Sequence, residues 1–510
     1  MSRLSHTVPV PNARGPIPTT DSSYPFSTMR FPRQPFDLEK YGYVEEEYFL
    51  SGKANVYGFT GQSRKAEDVT IVEEGLPYTT RVLIRRPADE APQTAWVSIL
   101  NASQGYDVED DWRRAWDYFI SRRLAYVAVT AKPIQISALQ TFDPERYADL
   151  TWGGKPRQLD ASEDGWNPFV VLEDTEEGLA WDVLAQVSAW LHSVEAPITP
   201  ENVFLIGQSQ SAVYANTYLT YFHNILRLAD GSNTFDGYAP GVGSLYVKEL
   251  NQRGSGIPET LGESPDVSAP GTEALPAFVP YLVEPAQLDV PVISISSEAD
   301  VSLFAAPPSD FRIGDGTMRR HWHVKRSPHS DARSRVIPDN EQVLRAKRLA
   351  RFLDEDFLAE LSALPLEPVV TGSMAAVEKW ATQGVPAAAS VWFDAESTEQ
   401  WVTDESGLLS GGLELGLVAN PIADFVPGVS GNPVLGLMKL HSRELVLERF
   451  PSFEDYRAAC NAVDDELERA GYLEKIGRNL LHNVERELWE RAVEGKPAPY
   501  CSPQQVVEVD

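Results

Sequence analysis

Hydrophobic and polar positions alternate with a period of two along residues 43–58 and 79–86, the pattern of half-buried strands. Thr80, Val82 and Ile84 fall on one face and Arg81, Leu83 and Arg85 on the other, which predicts two edge strands. The pattern then changes. Residues 95–100 (AWVSIL), 124–130 (LAYVAVT), 203–206 (VFLI) and 290–295 (VPVISI) are short, nearly unbroken apolar runs, as strands covered on both faces of a parallel sheet require. Between them the apolar spacing becomes helical: Ala180, Val183, Leu184, Val187, Trp190 and Leu191 recur at i, i+3, i+4 and i+7, with Asp174 and Glu177 ahead of them as a capping pair. Strands alternating with helices predict an α/β fold, a doubly wound, mostly parallel sheet with helices on both faces.

The flanks read differently. Residues 1–40 carry a proline every few positions and little periodicity, so they are expected to form an extended arm lying on a surface. The catalytic domain is assigned to 41–360. Within it residues 245–285 include a stretch rich in glycine, proline and serine, suited to a lid. From 361 to 510 the texture shifts to a helical stretch at 371–383, an irregular glycine-rich run at 407–431 and helices over 452–489. A largely helical and irregular appendage or cap is expected there.

Composition narrows the class. The 510 residues hold 44 Lys and Arg against 74 Asp and Glu, a net charge of −30 that repels phosphate backbones and anionic lipid. Nucleic acid is therefore not an expected partner. Two cysteines, Cys460 and Cys501, make no disulfide framework and no zinc spacing, which fits a reducing, cytoplasmic setting. No membrane span, targeting segment, metal site or nucleotide-binding glycine loop is read, so no cofactor is expected.

The chemistry concentrates at Gly207-Gln208-Ser209-Gln210-Ser211, between an apolar strand ending at Ile206 and an apolar helix carrying Ala215, Tyr218, Leu219, Phe222 and Ile225. A strand-to-helix bend with small residues two before and two after a serine is a nucleophile elbow, which forces the hydroxyl outward. Ser211 stands where the motif usually has a second glycine. The alternative for Ser209 is a plain helix cap. A serine nucleophile needs a base, and His329, in the loop after the HWHV strand, is the candidate among eight histidines. The carboxylate that orients it should follow the preceding strand, where Glu298 and Asp300 both stand. Asp300 is preferred. Oxyanion donors are expected from the backbone N–H of Gln210 and of Ser103, the latter in the Asn101-Ala102-Ser103 loop after AWVSIL. Trp96, Trp112, Trp116, Trp152 and Trp166 are candidates for an apolar acyl or alcohol pocket, with core packing as the plainer alternative.

These segments together resemble the α/β-hydrolase superfamily, and most closely a bacterial family of "alpha/beta hydrolase domain-containing" proteins. The resemblance runs through residues 43–52, Leu100 to Ser103 with Asp107 and Trp112, and residues 143–147. It continues in the elbow followed by Thr217, Tyr218 and Leu219, in residues 298–301, in the His329-Ser330-Asp331 loop and in residues 451–456. It implies a serine hydrolase. The expected reaction is cleavage of a small-molecule carboxylic ester through an acyl-enzyme. A lactonase, amidase or acyltransferase would use the same residues, and a non-hydrolytic lyase or binding protein is the alternative of a different class. A homo-oligomer is compatible with the sequence.

Overall fold

The computed structural model describes residues 6–30, 36–60, 64–160, 170–243, 245–252, 278–280, 288–304, 307–311, 316–332, 338–350, 359–428 and 434–498. Ten strands form the main sheet: β1 (Asn12–Arg14), β2 (Tyr43–Phe59), β3 (Val69–Pro87), β4 (Thr94–Ile99), β5 (Ala125–Val129), β6 (Thr151–Trp152), β7 (Asn202–Gln208), β8 (Tyr238–Gly241), β9 (Val292–Ser297) and β10 (Arg319–Val324). Their order is β10-β9-β8-β7-β4-β5-β3-β2-β1, with β6 paired to β3. The six strands from β10 to β5 run parallel, and β3, β2 and β1 join antiparallel. The chain order β4, β5, β7 wraps the sheet in both directions, so the point where it reverses lies beside β4 and β7. Ligands bind at such switch points, outside the carboxyl ends of the strands.

Period-two side chains feed two cores. Val97, Ile99, Val127 and Val129 point to a layer containing helix α3 (Ala180–Leu191), while Trp96, Tyr126 and Ala128 point to one containing α1 (Asp110–Ser121). Helix α2 (Pro133–Phe142) follows β5, α4 (Gln210–Thr217) follows β7, and α5 (Glu298–Leu303) follows β9. A longer helix, α6 (Glu367–Gln383), buries Val369, Val370, Met374 and Val377 in the α1 layer. The sequence placed it in the appendage, but its apolar face completes the sheet's covering, and Trp96 Nε1 donates to its Glu378 Oε1 at 2.7 Å. Helices α7 (Phe453–Ala470) and α8 (Lys475–Glu494) continue that same core outward through Tyr456, Leu481 and Trp489.

Several expectations change in physical detail. Strand β3 is not an edge strand: it lies between β2 and β5, and Arg81 and Arg85 are fully buried. The polar alternation that suggested a wet face is an internal ion-pair layer, in which Arg81 meets Glu47 at 2.6 Å and Asp107 at 3.0 Å, and Arg85 meets Glu45 at 2.8 Å as well as Glu109. The arm is extended as expected yet does more than lie on a surface. It adds β1 to the sheet and buries Phe26 and Ser27, whose carbonyls accept from Arg81 and Arg85. The side chain that caps the turn before α3 is Glu176, which accepts from the Gly178 N–H, in place of Asp174. Trp96, Trp112 and Trp152 are wholly buried and belong to the core. Trp96 stacks on Phe204 and Trp112 lies under the Arg85 guanidinium. Trp166, Cys501 and most of the expected lid, 245–285, lie outside the described residues. Of that lid, Tyr246–Lys248 pairs antiparallel with Phe278–Pro280.

Candidate active site

Strand β7 runs as an apolar rod to Gln208, and α4 starts at Gln210, which leaves Ser209 alone to turn the chain. Its backbone adopts φ 57° and ψ −124°, a sparsely populated conformation for a residue with a side chain. The bend is held by the Ser209 N–H, which donates to the Gly241 carbonyl on β8 at 2.8 Å. The first turn of α4 folds back so closely that a Cβ on Gly207 would sit 2.6 Å from the Ser211 carbonyl oxygen. Glycine is the residue that fits there. The Ser209 side chain stays partly accessible while Gln208 and Ser211 on either side are buried.

The long-range contacts then converge. The Ser209 hydroxyl donates to His329 Nε2 at 2.8 Å, and His329 Nδ1–H donates to Asp300 Oδ1 at 2.6 Å. Asp300 is fully buried, and its second oxygen accepts the Ser297 N–H at 2.7 Å, so both oxygens are committed and the carboxylate is fixed at the start of α5. Glu298 turns the other way. It accepts the backbone N–H groups of Arg326 at 2.7 Å and Leu409 at 2.8 Å and pairs with the Arg326 guanidinium. Burial raises its pKa against the pull of those partners. Of the two carboxylates the structure therefore brings Asp300 to His329. The histidine loop is pinned from both sides of the fold: Arg114 donates to the His329 carbonyl at 3.1 Å, and the Ser330 N–H donates to the Val434 carbonyl at 2.9 Å. Val434, within residues 361–510, thus touches the loop that carries the imidazole.

The loop after β4 lies against the elbow. Asn101 bridges them, its Nδ2 donating to the Gln208 carbonyl at 3.1 Å and its Oδ1 accepting the Ser103 N–H at 2.7 Å. The Ser103 N–H, expected to face an oxyanion, is directed to that side chain. The neighbouring Ala102 N–H points across the gap and donates to Gln210 Oε1 at 3.0 Å. The Gln210 N–H belongs to the first turn of α4, where backbone donors have no acceptor within the helix. Beneath this gap lies Lys132, a buried residue the sequence reading passed over. Its Nζ donates to the Leu100 carbonyl at 2.6 Å and to Ser211 Oγ at 3.3 Å. A lysine just past the end of a buried strand was the available signal. Asn101 could be found only by knowing that its loop meets the elbow.

The described residues contain no group of three or more His, Cys, Asp or Glu side chains that could hold a metal ion, and no helix long and apolar enough to cross a membrane. A strained serine at a strand-helix bend, beside the switch point of a mostly parallel sheet, marks the class of α/β hydrolases. The chain belongs to the alpha/beta hydrolase domain family, whose description matches residues 13–482. No curated protein matches the chain in sequence. Similar solved structures include esterase B of Lactobacillus rhamnosis in an inhibited state, at 12% identity over 39% of this chain and 48% of that one with a TM-score of 0.20. Esterase 2 of Thermogutta terrifontis, phosphoramylated by tabun, is 12% identical over 53% and 83% of the two chains with a TM-score of 0.25. An esterase of Pyrobaculum calidifontis is 12% identical over 43% and 62% with a TM-score of 0.23. This chain thus spans about half the length of the Lactobacillus enzyme. These likenesses are too slight for any reaction to be inferred from them.

Proposed function

We propose that the protein is a serine esterase that cleaves a small-molecule carboxylic ester through an acyl-enzyme. The observation that carries this reading is the hydrogen-bonded series Ser209–His329–Asp300, which begins at a partly accessible hydroxyl and ends at a fully buried carboxylate. Ser209 Oγ attacks the ester carbonyl as its proton passes to His329 Nε2. Asp300 holds the Nδ1 proton and steadies the imidazolium that results. The oxyanion is received by the Gln210 N–H and by an N–H of the loop after β4. Ala102 serves there once the Gln210 carboxamide that meets it swings aside, in place of Ser103, whose N–H is held by Asn101. His329 then gives its proton to the departing alkoxide, and a water molecule deprotonated by the same imidazole releases the acid. Esters rank ahead of amides because an alkoxide leaves more readily than an amide nitrogen.

A fluorophosphonate probe tests the reading directly. It should add its phosphonyl mass to Ser209 in the folded protein and not to the Ser209→Ala variant, and nitrophenyl esters of graded acyl length should turn over in the unlabelled enzyme alone. Folded protein that takes no label at Ser209 would overturn the proposal.

A further inference from the structure

Lys132 is the buried cation that the proposed mechanism leaves unused. It sits in the turn between β5 and α2, and its Nζ reaches two places that matter to an oxyanion. One is the Leu100 carbonyl, a single residue before Asn101 and two before Ala102. The other is Ser211 Oγ, a single residue after Gln210. Gln135 Nε2 donates to the same Leu100 carbonyl at 2.9 Å, so that carbonyl is doubly anchored. The Tyr214 ring covers the ammonium, with Nζ 4.4 Å from the ring centroid.

Resting on the esterase reading, we infer that Lys132 is a positioning residue for the oxyanion hole. Its ammonium ties the loop after β4 to the first turn of α4 and so sets the distance between the two backbone donors. Ser211 is the acceptor that completes the tie. This accounts for the serine at a position where the elbow motif needs only a small residue: a glycine would satisfy the sterics but would leave one ammonium proton without an acceptor.

Charge supports the same assignment. Lys248, which also lies 4.4 Å from the Tyr214 ring, is neutralised by Glu177 at 2.6 Å. No described carboxylate lies within ion-pair distance of Lys132. Burial pushes the Lys132 pKa down to about 7 against the pull of Glu177, with Lys248 adding to the fall and Asp107 and Asp111 opposing it. Near neutral pH the buried amine is therefore only partly charged in the resting protein, and negative charge developing on a nearby tetrahedral oxygen would favour its protonated form during the reaction.

The kinetics of fluorophosphonate labelling test the tie, because the phosphoryl oxygen occupies the same hole as the oxyanion. Labelling of the unsubstituted protein reports on the triad, whereas the ratio of variant to unsubstituted rate reports on Lys132. Lys132→Met should slow the maximal labelling rate by about 10²-fold, the scale of one lost oxyanion donor, with probe affinity nearly unchanged. Ser211→Ala and Ser211→Gly, which keep the lysine and a small residue at the elbow, should slow it by about tenfold. The double variant should be no slower than Lys132→Met. A residue that only supports folding would lower the fraction of protein labelled and leave the rate of that fraction intact. If the two Ser211 variants, and Lys132→Met where it folds, label within about twofold of the unsubstituted rate, the inference is overturned while the nucleophile stands.

Discussion

The two halves of the sheet handle charge in opposite ways. In the antiparallel half, Arg81 and Arg85 are enclosed by Glu47, Asp107, Glu45 and Glu109, each guanidinium donating to two carboxylates and to a backbone carbonyl of the arm. Each carboxylate there touches a guanidinium, with Arg146 joining Arg81 on Glu47, and the layer fastens the arm, β2, β3 and the segment ahead of α1 to one another. At the carboxyl edge of the parallel half the polar groups form an open chain instead. Ser209 donates to His329 and His329 to Asp300, and Ser209, the outermost of the three, is partly accessible. A closed network lowers the energy of the fold. An open one leaves a terminal atom that can meet a partner from solution. Ionisable side chains occur in both halves, so it is the end of the chain of contacts that separates structure from chemistry.

That contrast can be broken most sharply at its outer end. Ser209→Ala should remove at least about 10⁴-fold of ester turnover with folding unchanged, as the loss of a triad nucleophile does elsewhere. Paired rates and denaturation midpoints would check both halves of the statement. Asp300→Asn should cost a comparable ~10⁴-fold, since an amide can present the wrong tautomer to the histidine. Glu298→Gln should cost about tenfold or less, because that carboxylate holds the Arg326 and Leu409 backbone and the Arg326 guanidinium and is turned away from His329. The reverse ranking in kcat would move the acid to Glu298.

How far the sequence reveals this site follows from how local each signal is. The apolar run of β7, the bend at Gly207 to Ser211 and the helix after it are contiguous, so the elbow can be read from twenty residues. His329 and Asp300 follow because each sits just past its strand, His329 in a loop and Asp300 in the first turn of α5, where α/β sheets present side chains. The Lys132 tie joins residues 79 apart and the Asn101 tie to Gln208 joins residues 107 apart, and neither leaves a periodic trace. The buried arginines misled for a related reason. Polar alternation predicts a wet face unless the partner strand is known, and here Glu45 lies directly opposite Arg85 in the β2–β3 register. Helix α6 follows the last sheet strand after an interval long enough to resemble a new unit, and its apolar face together with its contacts to Trp96 and Arg113 returns it to the sheet.

The closed half should respond in stability and not in rate. Arg81→Met leaves Glu47 and Asp107 buried beside an apolar side chain, so unfolding free energy should fall by about 3–5 kcal/mol, the usual cost of removing one partner from a buried pair. The rate per folded molecule should stay within about twofold. Denaturant titration together with active-site labelling would separate the two quantities. A large fall in rate without a fall in stability would show that the ion-pair layer reaches the site, and the contrast between the halves would fail.

Asp111 is the exception that sharpens the comparison, a buried carboxyl in the parallel half with no close cation. It accepts the Ser98 hydroxyl at 2.6 Å, and burial pushes its pKa up to about 7 against that bond. The folded state therefore keeps a proton that the unfolded chain releases near 4. Stability from this group is fully present on the acid side, declines as pH rises from about 4 to about 7, and levels off above. Asp111→Asn removes the titration. The full displacement would correspond to a gain of about 4 kcal/mol at pH 8, and an amide donor left without an acceptor would take back about 1–3 kcal/mol of it. The expected net stabilisation is on the order of 1–3 kcal/mol at pH 8, vanishing or reversing near pH 4. Unfolding midpoints of the two proteins between pH 4 and pH 8 measure it. Parallel curves across that range would mean that Asp111 is already ionised in the folded state and has a counter-charge, as the carboxylates of the antiparallel half do.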